Sequence, residues 1–115
     1  MDVQKKRKLD VLRTMRRTDV LADAVIRQMG GMEMFLDTYE DIIEHGAENG
    51  VNGFIYTDDN RQFVRKYIDE ILETIHDYID DPLTIADCIK DVDSMAWAAV
   101  EIVCWRFASA LSQEE

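Results

Sequence analysis

At 115 residues, 47% apolar and 32% charged, the chain has the make-up of one globular domain that can bury roughly two thirds of its unfolded surface, and not that of a disordered segment. A formal net charge of −11 disfavours nucleic acid and anionic membrane surfaces as partners and favours basic ones. No apolar run has the length of a membrane span, the basic N-terminus is not followed by the apolar stretch of a secretory signal, and Cys88 and Cys104 lack metal or redox spacing, so reduced thiols in a cytoplasmic protein are expected.

The first predicted element, residues 1 to 17, is a basic helix. It holds seven of the thirteen basic residues and two acids, a balance of +5, while residues 18 to 115 hold the other six basic residues and 22 acids, a balance of −16. Leu9, Leu12 and Met15 give it a narrow apolar stripe interleaved with Lys5, Lys8 and Arg16, too little for stability alone. Asp19 caps a second helix through Met29, closed by Gly30 and Gly31. A third runs from about Glu33 to His45, with Phe35, Leu36, Tyr39, Ile42 and Ile43 on one arc and Glu33, Asp37, Glu40, Asp41 and Glu44 opposite; Gly46 or Gly50 stops it.

Residues 45 to 63, "HGAENGVNGFIYTDDNRQF", break the helical pattern and contain at most a short extended piece near 54–57. Thr57 or Asp58 then caps one helix to about Asp80, apolar along Phe63, Val64, Tyr67, Ile68, Ile71, Leu72, Ile75, Tyr78 and Ile79. Asp69, Glu70, Glu73, Asp77 and Asp80 fill the other side. Pro82 fits the first turn of a short helix after Asp81, over about Thr84 to Lys90. The last helix, from Asp93 or Ser94 to Leu111, is apolar nearly all round, with Trp97, Val100, Ile102, Val103, Trp105 and Phe107, as a central helix must be. The pattern predicts an all-α single domain, a bundle of five or six helices around the C-terminal one.

Candidate chemistry is sparse. "ENGVNGFIYTDD" has the length of an EF-hand loop, with Asn52, Gly53, Ile55 and Asp59 at acceptable positions. Glu48 and Gly50 at its first and third positions misplace or remove two ligand oxygens, and Asp59 is short for the last; a turn and a helix cap explain the same residues. Asp41 with His45, and His76 with Asp80, are i,i+4 pairs without a third ligand by spacing. Ser94, Ser109 and Ser112 have no neighbouring histidine, and no phosphate-cradling glycine loop or nucleophile elbow is present, so no enzyme, metal or cofactor is expected. Glu101 is the candidate for a buried carboxylate, with Tyr56 or His45 as partner.

The acidic faces carry the expectation for function. Six carboxylates lie between Asp69 and Asp81, over about 18 Å of helix. That is one per roughly 3 Å, near the one per 3.4 Å of a single DNA strand. With Glu33, Asp37, Glu40, Asp41 and Glu44, the residues Asp69, Glu70, Glu73, Asp77, Asp80 and Asp81 form two stripes suited to a basic, nucleic-acid-handling protein. "KKRKLDVLRTMRR" offers a rival, phosphate binding by Lys5 to Arg17, and equally a helix that docks on an acidic stripe of its own chain or of a second copy, so a homo-oligomeric accessory protein is a further reading.

"HGAENGVNGFIYTDDNRQFVRKYIDEI", together with "AWAAVE" of the last helix, resembles a pattern found in short proteins of phages and mobile elements. Size and acidity are similar to those of DNA-mimic anti-restriction and anti-CRISPR inhibitors, although these are usually acidic throughout and the basic N-terminus departs from that type. The resemblance implies a stoichiometric inhibitor of a host defence complex, acting through acidic faces and without cofactor.

Overall fold

Helix-end chemistry sets most of the element boundaries in the computed structural model, which describes residues 3–46 and 58–113, with the side chains of 58–60 excepted. Seven helices occur among the described residues: α1 (Val3–Thr18), α2 (Val20–Gln28), α3 (Met32–His45), α4 (Asp58–Lys66), α5 (Ile68–Tyr78), α6 (Pro82–Cys88) and α7 (Val92–Gln113). No strand occurs among them. The expected extended piece at 54–57 and most of the calcium-like loop lie outside the described residues.

Asp19 ends α1 and caps α2 in one step: its extended backbone (φ −129°, ψ 105°) turns the chain, and its Oδ1 accepts from Ala22 N at 3.0 Å. The end of α2 is a Schellman turn, with Gly30 N donating to Arg27 O at 3.1 Å and Gly31 N to Ile26 O at 2.9 Å. Gly30 sits at φ +107°, a conformation that disfavours any side chain. Gly46 closes α3, its N–H on Ile42 O at 2.7 Å.

Three boundaries differ from expectation. The single helix expected from Thr57 or Asp58 to Asp80 is two, broken at Tyr67 (φ −110°, ψ 18°) and ending at Tyr78. Tyr67 N donates to Phe63 O at 3.1 Å and Ile71 N to Tyr67 O at 2.9 Å, the first bond closing α4 and the second opening α5. Neither proline nor glycine is there; both halves pack on α7, burying Phe63 and Val64 from one and Ile71 and Ile75 from the other. Helix α6 starts at Pro82 because the Asp81 carboxylate accepts from Leu83 N and Thr84 N at 3.4 and 3.2 Å, two residues ahead of the expected start at Thr84. Helix α7 starts at Val92 because Asp91, and not Asp93 or Ser94, is the cap, accepting from Ser94 N at 2.7 Å.

At 22 residues, or about 33 Å, α7 runs through the domain and contacts the other six helices. Phe107 meets Phe35 edge-on at 5.6 Å and Tyr39 at 4.9 Å, fastening α3 to α7. Leu12, Val25, Ile26, Ile71, Ile75 and Val100 complete the core from α1, α2, α5 and α7. The burial of α7 is not uniform: Trp105, expected inside, is 43% exposed, because the C-terminal half of α7 is open on the side that carries Trp105, Ser109 and Ser112.

Candidate functional site

Helix α5 turns Ile71, Thr74 and Ile75 inward, with Leu72 and Ile79 half-buried beside them. Thr74 satisfies its buried hydroxyl by donating to Glu70 O at 2.6 Å. At 100° per residue the opposite arc collects Asp69, Glu70, Glu73 and Asp77, and Asp80 follows the helix end; all five are exposed. Asp69 and Glu70 stand in the first turn, where the helix dipole favours them. Glu73 and Asp77 have no such compensation. Among the described residues none of the five forms an ion pair, and from Tyr67 to Ile89 the chain has no lysine or arginine. Asp81 differs: it is the α6 cap, held below the usual carboxylate range by the Thr84 hydroxyl at 2.6 Å and by the two backbone N–H groups.

The α3 stripe is built the same way, with Glu33, Asp37, Glu40, Asp41 and Glu44 all exposed, but it has company. Lys5 Nζ stands 3.8 Å from Glu33 Oε2 and Lys8 Nζ 4.0 Å from Glu40 Oε1. The basic helix therefore docks on an acidic stripe of its own chain, buries Leu9, Val11, Leu12 and Met15, and brings positive charge to the side of α3 that it touches. Arg7 Nη2 donates to Leu111 O at 2.6 Å, near the end of α7, and Arg16 Nε reaches Asp23 Oδ1 at 2.7 Å. Four of the seven cations of residues 1–17 are thus turned to the domain's own surface.

Arg106, which sequence inspection shows only as an interruption of an apolar run, is the centre of a staple. Its Nη1 meets Asp19 Oδ2 at 2.6 Å, its Nε donates to Tyr78 Oη at 3.3 Å, and its guanidinium lies 5.3 Å from the Tyr78 ring centroid. The contact ties the α2 cap and the last residue of α5 to α7, and so fixes the angle at which the α5 stripe is presented. No spacing rule finds it, since the partners come from three separate helices.

Glu101 is half-buried, and a Cβ at Gly46 would lie 3.2 Å from its Oε1, so glycine leaves the space the carboxylate uses. Tyr56, one of its two expected partners, is outside the described residues. Burial first, and the Glu101 charge second, push the Cys104 thiol up to about 12; the same two causes, then Asp87, raise Cys88. Both are free thiols in the protonated form at neutral pH, the opposite of an activated nucleophile. His45 Nε2 lies 3.8 Å from Glu44 Oε2, and His76 is exposed. Among the described residues no three His, Cys, Asp or Glu side chains converge as metal ligands. No helix among them is long and apolar enough to cross a membrane. Two concavities, about 570 Å³ along α1 and about 390 Å³ between α2 and α4, adjoin neither acidic stripe.

The molecule is thus an all-α domain whose surface chemistry is concentrated in acidic helix faces. The chain belongs to the family described as Domain of unknown function (DUF7222), whose model matches residues 18–113, that is α2 to α7 with α1 outside except for its last residue. No curated protein and no solved structure matches it.

Proposed function

We propose that the protein is a stoichiometric inhibitor that binds a basic, nucleic-acid-handling protein of a host defence complex, of the restriction or CRISPR type, through its acidic helix faces and chiefly through α5. It acts without cofactor and without catalysis. The observation that carries this reading is the α5 ridge: Asp69, Glu70, Glu73, Asp77 and Asp80 are exposed and met by no cation among the described residues. Such a ridge has near the charge spacing of a nucleic-acid strand and suits a positively charged channel. Helix α3 is the lesser face, since α1 already covers one side of it with Lys5 and Lys8. That same docking favours this reading over the alternative, nucleic-acid binding by residues 5–17, because Lys5, Arg7, Lys8 and Arg16 are engaged by the domain. The similarity to acidic phage and mobile-element inhibitors points the same way.

The test is phage plating on bacteria that carry an active restriction or CRISPR system. Expression of the protein raises the plating efficiency of a targeted phage, and Asp69→Lys, Glu73→Lys and Asp77→Lys together abolish the gain while helicity by circular dichroism is retained. A gain unaffected by the triple reversal, or no gain across a panel of such systems, overturns the proposal.

A further inference from the structure

The outward arc of α1 is the basic counterpart of the α5 ridge. Its buried arc holds Leu9, Val11, Leu12 and Met15, so Lys6, Arg13 and Arg17 project from the opposite side, all exposed. Lys6 and Arg17 have no ion-pair partner among the described residues, and Arg13 has only the exposed Asp10 of its own helix, at 2.8 Å. The spacings match. Lys6, Arg13 and Arg17 are separated by seven and then four residues; Asp69, Glu73 and Asp80 by four and then seven. On α1 the set spans about 16 Å of helix, whereas on the acidic side Asp69 and Glu73 stand one turn apart on α5 and Asp80 lies past the helix end, after the extended Ile79. Laid antiparallel, Arg17 faces Asp69 and Arg13 faces Glu73, one turn apart on each helix, while Lys6 lies toward the end of α5 that Asp80 follows, with the two helix dipoles opposed. The match cannot be made within one molecule: α1 packs on α2, α3 and α7, α5 packs on α4, α6 and α7, and no described ion pair joins α1 to α5.

We infer that the outward face of α1 is a docking surface for a second copy of this chain, which it engages through that copy's α5 ridge. The contact is head-to-tail, because the two faces are different surfaces, so a pair of copies keeps one unused face of each sign and the assembly grows as a chain or closes as a ring. It also sets self-association against inhibition, since both use α5. The net charge of −11 opposes association over long range. At about 0.1 M salt the screening length is about 10 Å, which damps that repulsion while leaving side-chain contacts in force.

Sedimentation velocity on the full chain decides the matter. At about 0.1 M salt the weight-average sedimentation coefficient of the wild type rises with concentration, and at about 1 M salt, where the screening length is about 3 Å, the rise disappears. The variant K6E/R13E/R17E and the variant D69K/E73K/D80K each sediment as monomers at every concentration. An equimolar mixture of the two associates again, because the acidic α5 of the first meets the basic α1 of the second; a fold defect in either variant could not produce that rescue. A wild type that stays monomeric, a variant that associates alone as the wild type does, or a mixture that stays monomeric overturns the inference. The inhibitor reading is judged separately: K6E/R13E/R17E keeps its α5 ridge, so it retains the plating effect while losing self-association.

Discussion

Replacing Arg106 by methionine keeps an unbranched apolar stem and removes the guanidinium that joins α2, α5 and α7. The Arg106 and Asp19 side chains are 22% and 23% exposed, so their 2.6 Å ion pair is partly shielded from water without being dry. A hydrogen bond to a charged group in such a place contributes about 1.5–3 kcal/mol. The contact with the Tyr78 ring, half exposed, adds about 0.5 kcal/mol. Arg106→Met should therefore cost about 2–3 kcal/mol, a drop of roughly 10 °C in Tm for a domain of this size. The partner change is Asp19→Asn, which keeps an acceptor for Ala22 N and so preserves the cap while removing the charge. Urea denaturation of wild type, the two single variants and the double variant gives the coupling between positions 19 and 106. A value of about 1–2 kcal/mol is expected, and additivity within about 0.3–0.5 kcal/mol would show that the staple contributes nothing as a pair.

Glu73 stands one turn from both Asp69 and Asp77 and three residues from Glu70, and each like-charge pair costs about 0.2–0.5 kcal/mol, so Glu73→Gln should stabilise the fold by about 0.5–1 kcal/mol in denaturant while weakening the phage-plating effect; a destabilised variant contradicts the repulsion argument. Cys104 should be inert to a thiol-specific reagent at neutral pH until the chain unfolds, with Cys88 slow, and immediate labelling of both would refute their placement. The sign of the alkaline limb follows from the same thiol. Its folded pKa is raised to about 12 from an ordinary 9.0, so its contribution is fully present below pH 9 and is lost as the pH rises toward 12, a loss that Cys104→Ala should flatten in alkaline denaturation curves.

What was legible in the sequence was short-range. Asp19, the Gly30–Gly31 pair, Gly46 and the Asp81–Pro82 step each announce a helix end through chemistry that acts within a few residues; Asp19 and the glycine pair act where expected, Gly46 is the one of two expected stops that is used, and Asp81–Pro82 starts α6 two residues before the expected Thr84. The exposure of the nine stripe carboxylates that lie on α3 and α5 was legible too, because a period of 3.6 separates them from the apolar arc whatever the tertiary arrangement. The break at Tyr67 was not, since its cause is that two apolar arcs must reach one central helix, and no local residue records that. Asp91 was passed over because Asp93 and Ser94 satisfy the same cap rule, and only the fold decides among them. Trp105 was misplaced for the converse reason: an apolar residue on a central helix is buried only where another helix comes to cover it, and along that side none does.

The charge division of the chain has a structural meaning that composition alone leaves open. A basic helix of +5 beside a body of −16 could have been two opposed binding surfaces, or one surface and its internal counterion. The structure divides α1 lengthwise between these roles: one side, with Lys5, Lys8 and Arg16, is joined to α2 and α3, while the other, with Lys6, Arg13 and Arg17, faces outward. Among the described residues, helix α3 is the acidic element with an internal counterion and α5 the one without. Stability explains the first arrangement, because exposed pairs of this kind contribute up to about 1 kcal/mol and accompany the burial of Leu9, Leu12 and Met15. It does not explain the second. Beyond the first turn of α5, Glu73 and Asp77 repel their neighbours, are met by no cation among the described residues and bury nothing, so their charge adds nothing to the stability of the fold.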